Sequence, residues 1–361
     1  MAATRTAVQN TVNTSPYYGR QLKQFTAVAL TTLFAFMILG VYLMPFSYML
    51  VTSFKDKAQI IAGAKGPILP MDPITLNYQG EVLEVFKVPF PEGVRQLALL
   101  KKGRSESSFV DPENPDAEPI VWEGRWRTLE PVIQFSPRYG NFKAAWDGIN
   151  FPRLLFNTTF IAVTGLIGTL LSCIAVAYAF ARFPIPGKPI LFMVLIATII
   201  LPRQVMLVPT FAFFSAIGWV GTWLPLIVPH FFANAYNVFL LRQYFLQLPR
   251  ELDEAAMIDG AGPLRILLSV IIPQSWPVIV AVALFHLVFA WNDYFEPLIY
   301  TLGKPEIQPI AVGIQQFNFR FNQQPHLIQA TALLGMVLPV ILFFMAQRFF
   351  MRGVVVTGVE K

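Results

Sequence analysis

Five stretches of this sequence are long and apolar enough to span a membrane, and one of them is long enough to do so twice. Residues 24–54, 154–181, 266–292 and 327–346 carry no Asp, Glu, Lys or Arg, and across 189–241 the only such residue is Arg203. A helix needs about 20 apolar residues to cross a hydrocarbon core of roughly 30 Å. It also satisfies its own backbone there, which an isolated strand does not. The pattern predicts six crossings, with the bend inside the longest stretch falling at residues 215–222, where Gly218 and Gly221 stand. Pro45, Pro202, Pro209, Pro277 and Pro339 are expected to kink these helices or mark their ends.

Composition agrees. Charged residues are 13% of 361 and hydrophobic ones 55%, whereas a soluble domain is about 25% charged. So little charge cannot cover a soluble surface of this size. The net charge of +6 is not gathered into a basic stripe, so nucleic acid is not an expected partner. It fits topology instead. Six crossings put both termini on one side, and placing them inside leaves Arg5, Arg20, Lys23, Arg182, Lys188, Arg242, Arg250, Arg265, Arg348, Arg352 and Lys361 in the cytoplasm. The outward charges then cancel, which is the orientation the positive-inside rule selects. Residues 1–23 and 348–361 become cytoplasmic tails, and the polar stretch before the first apolar run is too long for a cleavable signal. The single cysteine, Cys173, lies in an apolar run and is read as a small buried hydrophobe. The sequons at Asn13 and Asn157, one in a tail and one entering the membrane, carry no expected meaning.

Between the first two crossings, residues 55–153 are rich in charges of both signs and are not membrane-like. Residues 81–88 and 120–126 are rich in Val, Phe and Trp and are bounded by Gly, Pro, Asn and Asp, a strand-and-turn pattern. Asp111-Pro112 and Asn114-Pro115 mark a tight turn. The expectation is a small β-rich extracytoplasmic unit at 75–135, since Phe86, Phe90, Phe109, Trp122 and Trp126 argue against disorder.

The segment 248–265, between the fourth and fifth crossings, reads Leu-Pro-Arg-Glu-Leu-Asp-Glu-Ala-Ala-Met-Ile-Asp-Gly-Ala-Gly-Pro-Leu-Arg. Its punctuation is that of a short helix. Pro249 suits a first helical position, Glu251, Asp253 and Glu254 face the positive end of the dipole, and Gly260 is placed to end it in the left-handed conformation. Pro263 then opens a second helix expected to run into the fifth crossing. Leu252, Ala255 and Ala256 are expected to share one face, the alanines leaving room for another protein.

This stretch resembles the Glu-Ala-Ala loop of binding-protein-dependent ABC importer permeases, and the resemblance continues through Gly260, Val270, Ile272 and Pro273. Phe239 to Phe245, the Trp291-Asn292-Asp293-Tyr294-Phe295-Glu296-Pro297-Leu298 run, Ser53-Phe54-Lys55 and Arg352-Gly353 resemble the carbohydrate-uptake branch, the permeases similar to the smaller maltose-type subunit. The resemblance covers residues 25–55 and 136–361 but not the insert. It implies an all-α polytopic membrane protein with six transmembrane helices, the type I ABC importer permease fold, in a bacterial inner membrane. Helix 1 is expected at 24–54 and the permease core, helices 2–6, at 154–347. The docking loop implied for a partner ATPase dimer comprises Glu251, Leu252, Glu254, Ala255, Ala256, Asp259, Gly260 and Ala261. Other implied partners are a second permease, an extracytoplasmic solute-binding protein and a carbohydrate substrate, whose path is expected near Trp291, Asn292 and Asp293.

No phosphate-cradling Gly-x-x-x-x-Gly-Lys-Ser/Thr occurs, so ATP is expected to be used by the partner subunits, with no cofactor on this chain and no covalent chemistry. His230, His286 and His326 lack metal-ligand spacing. A proton relay through His286 and Asp293, seven apart, is the sharper but weaker reading of that pair, and Trp291 and Tyr294 are read first as interface anchors. A permease for a non-sugar polar solute fits the same motifs. A secondary transporter fits less well, because no inverted repeat is evident.

Overall fold

A computed structural model of the protein describes residues 16–63, 66–319 and 323–354. Arg5, Asn13 and Lys361, used above for topology and sequons, lie outside them. The chain divides into two compact units at Val51/Thr52. The first holds the helix Pro16–Ser53 as far as Val51, apolar on all sides through Leu30, Phe34, Met37 and Val41 and carrying Pro45 in its interior. A helix apolar all round suits lipid rather than water.

The second unit opens where the chain leaves that helix. Asn141 donates from Nδ2 to the carbonyls of Ser53 (2.8 Å) and Lys55 (2.9 Å), and Lys55 donates from Nζ to Pro67 O at 2.7 Å. Burial holds the Lys55 ammonium below the usual lysine range. Beyond this staple comes the β-rich insert. Strands β1 (Met71–Pro73) and β8 (Ile133–Phe135) pair antiparallel and close its base. Between them β2 (Thr75–Tyr78), β3 (Glu81–Phe90), β4 (Gly93–Lys101), β5 (Glu106–Val110) and β6 (Ile120–Glu123) form an antiparallel sheet in sequence order, with β7 (Glu130–Pro131) added to β3.

Alternation along β3 explains why the sheet holds. Phe86 and Val88 face one small core with Leu97, Leu99 and Phe109, while Leu83 and Val85 face another with Ala98 and Val132. The Asp111 turn forms as its residues dictate, Asp111 Oδ1 accepting from Glu113 N at 3.0 Å. Strand β6 is shorter than the Val- and Trp-rich run 120–126 suggests. It ends at Glu123, because Gly124 takes φ +154 and Arg125 opens a 3₁₀ turn, Trp126–Thr128, that lays Trp126 edge-on against Phe86. Phe109 is wholly buried. Phe109→Ala is expected to cost the insert about 3–5 kcal/mol, exposing residues 71–135 to protease while the helices stay intact. Unchanged cleavage would show that this core does not hold the sheet.

Helical segments make up the remainder. Among the described residues, four helices are individually long and apolar enough to cross a membrane: Arg20–Ser53, Phe151–Arg182, Leu224–Gln247 and Pro325–Gln347. Two further candidates are bent pairs, Lys188–Ile200 with Arg203–Ala216 (98°) and Pro263–Gln274 with Trp276–Asn292 (82°). The first bend falls at a proline expected to break its helix, while the second differs from expectation. The longest apolar stretch breaks first at Leu201–Pro202, where proline removes the donor and Leu201 turns extended. It breaks again at Gly218 and Gly221, both at positive φ. The helix opened by Pro263 does not run straight on. A π turn at Leu267–Ile271 and Pro273 disturb its ladder, and the chain turns sharply at Ser275.

The Phe151–Arg182 helix organises this bundle. Phe156, Phe160, Val163, Ile167 and Leu171 are exposed along one stripe, while Ala162, Gly165, Thr169, Cys173, Ala177 and Ala181 are buried on the other side. Small residues allow close approach. A Cβ at Gly165 would lie 2.9 Å from the His230 ring and one at Gly168 2.6 Å from Phe231. The main core then joins Cys173, Ala177 and Tyr178 to Val238, Leu241 and Phe245, and to Ile266, Ile271, Ile279 and Val282.

Candidate functional site

The docking segment emerges from this core as a short helix with both ends fixed. Leu248 is extended ahead of Pro249, so the helix begins two residues later than expected and spans Glu251–Ile258 behind Arg250. Its end is a Schellman motif. Gly260, at φ +76, donates to Met257 O at 3.0 Å, and Ala261 donates to Ala256 O at 2.9 Å. No atom lies within 4 Å of where a Gly260 Cβ would stand, so the glycine is required by conformation and not by space.

The two faces of this helix differ from the expected arrangement. Ala256 and Ala261 turn inward and pack on the main core, and Asp253 is buried beside them. Leu252, Ala255 and Ala256 therefore do not form one outward face. The exposed side carries Glu251, Glu254, Ala255, Met257, Ile258 and Asp259, with Ile258 86% exposed and Leu264 following on the next turn. Met257 and Leu264 are also bare, at 60% and 69%, so apolar side chains stand exposed along this side of the segment.

Asp253 forms an ion pair with Arg182 at 2.6 Å, both side chains nearly excluded from solvent. Arg182 also donates from Nη2 to Leu248 O at 3.1 Å, and Tyr178 Oη donates to Pro263 O at 3.3 Å. The last two turns of the Phe151 helix thus grip the segment before, within and after its short helix. Neither Arg182 nor Asp253 was expected among the site residues. The available signal was a lone arginine ending an apolar helix, where it also complements the dipole.

The second expected region does not converge. Trp291 donates from Nε1 to Gly335 O at 3.0 Å and packs against the cluster of Ile149, Phe151, Leu154 and Ile310. Asn292 donates back to Val288 O at 2.8 Å, and it shares with Trp291 a largely apolar cavity of about 610 Å³. Asp293 ends the helix in extended backbone and lines a different space with His230 and Glu296. His286 is buried with Nδ1 3.1 Å from Thr169 Oγ1 and its ring edge-on to His230, so its partners lie on neighbouring helices and not at Asp293.

Comparison with known proteins agrees with this architecture. Residues 168–356 match the family described as binding-protein-dependent transport system inner membrane component. An osmoprotective compounds uptake permease of Synechocystis sp. is 29% identical over 76% of this chain and 93% of its own length. The sn-glycerol-3-phosphate transport system permease of Rhizobium meliloti is 32% identical over 58% of this chain and 74% of its own length. The fold is also that of a chain in the crystal structure of a bacterial ABC transporter involved in import of the acidic polysaccharide alginate. There the TM-score is 0.62 at 19% identity, covering 93% of this chain and 100% of that one. With half the chain inside the family match and the short helix between its spans, this protein is an inner-membrane permease of the binding-protein-dependent ABC importer family.

Proposed function

We propose that the chain is one of two different permeases around a shared path for a carbohydrate, crossing the membrane six times with both termini in the cytoplasm. The exposed Ile258 surface on a helix anchored to the core carries this reading. It supports docking of Glu251, Leu252, Glu254, Ala255, Met257, Ile258 and Asp259 into an ATPase subunit, with Ala256, Gly260 and Ala261 shaping the helix from behind. Closure of the ATPase pair on ATP moves the docked helix. The Arg182 grip passes that movement to the Phe151 helix, a rigid-body transition that switches access between the two sides. The insert, on the outer side, meets the solute-binding protein or the second permease.

Relatives that include an alpha-glucoside transport permease of Rhizobium meliloti, 27% identical over 62% of this chain, favour a sugar. Those named for osmoprotective compounds and sn-glycerol-3-phosphate favour, as a second reading, another small polar solute. Reporter fusions test the topology. Fusions after Arg20, Lys188 and Arg250 are expected to report cytoplasm, and fusions at Asn114 and Lys304 the exterior. A cytoplasmic signal at Asn114 would remove the six-span arrangement. For transport, ATP hydrolysis by the complete complex is expected to rise only with a sugar-loaded binding protein.

A further inference from the structure

The charge interrupting the longest apolar stretch, Arg203, borders a cavity of about 490 Å³ that it shares with His230, Phe232, Tyr236, Asn237 and Glu296. The helix from Lys188 to Ile200 rises about 20 Å, so the elbow that Arg203 follows falls in the outward part of a core of roughly 30 Å. A guanidinium facing lipid is costly, and such groups face water or protein. Its side chain is 61% exposed all the same. It lies 4.0 Å from Glu296 and 4.0 Å above the Phe289 ring, and it makes no hydrogen bond among the described residues. Five donors are left unspent. Asn237 on the same wall is buried, and its Oδ1 has no hydrogen-bond partner among the described residues.

Phe232 (73% exposed) and Tyr236 (50%) present bare aromatic surface beside these polar groups. Planar donors and acceptors next to aromatic faces suit a polyhydroxylated ring. Its hydroxyls bridge guanidinium and carboxylate, and its C–H face rests on the negative face of an aromatic ring. The volume lies within the roughly 300–1,000 Å³ of small-molecule sites. Glu296 and the nearby Asp293 set two carboxylates against one guanidinium, which disfavours an anionic solute.

We propose that this cavity is a solute-contact site on the translocation path, where Arg203 and Glu296 hydrogen-bond a neutral carbohydrate stacked on Phe232 or Tyr236. This rests on the sugar-importer reading above and assigns direct solute contact to this subunit. The test uses the complete transporter in nanodiscs. Cys173 is the only cysteine of this chain and is buried, so Phe232→Cys and Tyr236→Cys each give this subunit a single accessible thiol, read on the separated subunit after labelling. A water-soluble maleimide is expected to label both. Maltose, trehalose or sorbitol at ten times its half-protecting concentration is expected to slow labelling about tenfold, with sn-glycerol 3-phosphate as the anionic control. Adding Arg203→Gln is expected to abolish protection without changing the unprotected rate. Thiols that stay unlabelled would mean that the second permease or lipid covers this face. Labelling that no neutral sugar slows, or that only the phosphate slows, would overturn the assignment. Failure of the sugar reading itself would register separately, as wild-type ATP hydrolysis that no sugar-loaded binding protein stimulates.

Discussion

Replacing Ile258 with aspartate is expected to leave the permease folded in the membrane and strip it of its ATPase. Ile258 is 86% exposed and touches none of the protein's cores, so the substitution costs the isolated subunit little. Against a partner it places an unpaired carboxylate where an apolar side chain docks. Loss of such an anchor removes about 2–4 kcal/mol, a weakening of roughly 30- to 1,000-fold. The measurement is co-purification of the ATPase with the solubilised permease, alongside uptake and stimulated ATP hydrolysis. Ala256→Asp is the control that separates the two faces of the helix. Ala256 packs on the main core, so a charge there is expected to lower membrane abundance rather than docking alone. If Ile258→Asp retains the ATPase and full uptake, this helix is not the coupling element.

Much of the docking segment was legible because its determinants are local. Gly260 ends the helix as a left-handed residue must, and the acids of its first turn stand where the dipole favours them. The Val- and Phe-rich run at 81–88, bounded by turn residues, announced β3 for the same reason. Orientation was not legible. A two-turn helix carries too few residues for periodicity to say which side meets the core, so Ala256 could be assigned inward only once the Phe151 helix lay behind it. Prolines marked the breaks at Pro202 and Ser275 approximately, yet the size of the turns, 98° and 82°, was not legible. Trp291 illustrates the same limit. Its position at a helix end suggested the membrane interface, but its hydrogen-bond partner, Gly335, sits on a helix distant in sequence.

Asp253→Ala is expected to have the second large effect, by releasing the docking helix from the bundle. Its carboxylate is the ion-pair partner of an arginine whose side chain is only 8% exposed. Removing one member of a buried pair strands the other charge, at a cost of about 3–5 kcal/mol. That loss falls on the contact proposed to carry movement of the short helix to the Phe151 helix. Membrane abundance is expected to drop, protease cleavage within 248–262 to accelerate, and ATP hydrolysis to lose its dependence on the binding protein. The double variant Arg182→Met with Asp253→Leu removes both charges and fills the space with apolar atoms, a replacement often neutral or stabilising. It is expected to recover abundance and protease resistance. If recovery extends to coupled uptake, the pair acts as an anchor that hydrophobic packing replaces. If structure returns without coupling, its charges take part in the transmitted movement. Wild-type abundance and protease resistance in Asp253→Ala alone would mean that the pair holds nothing.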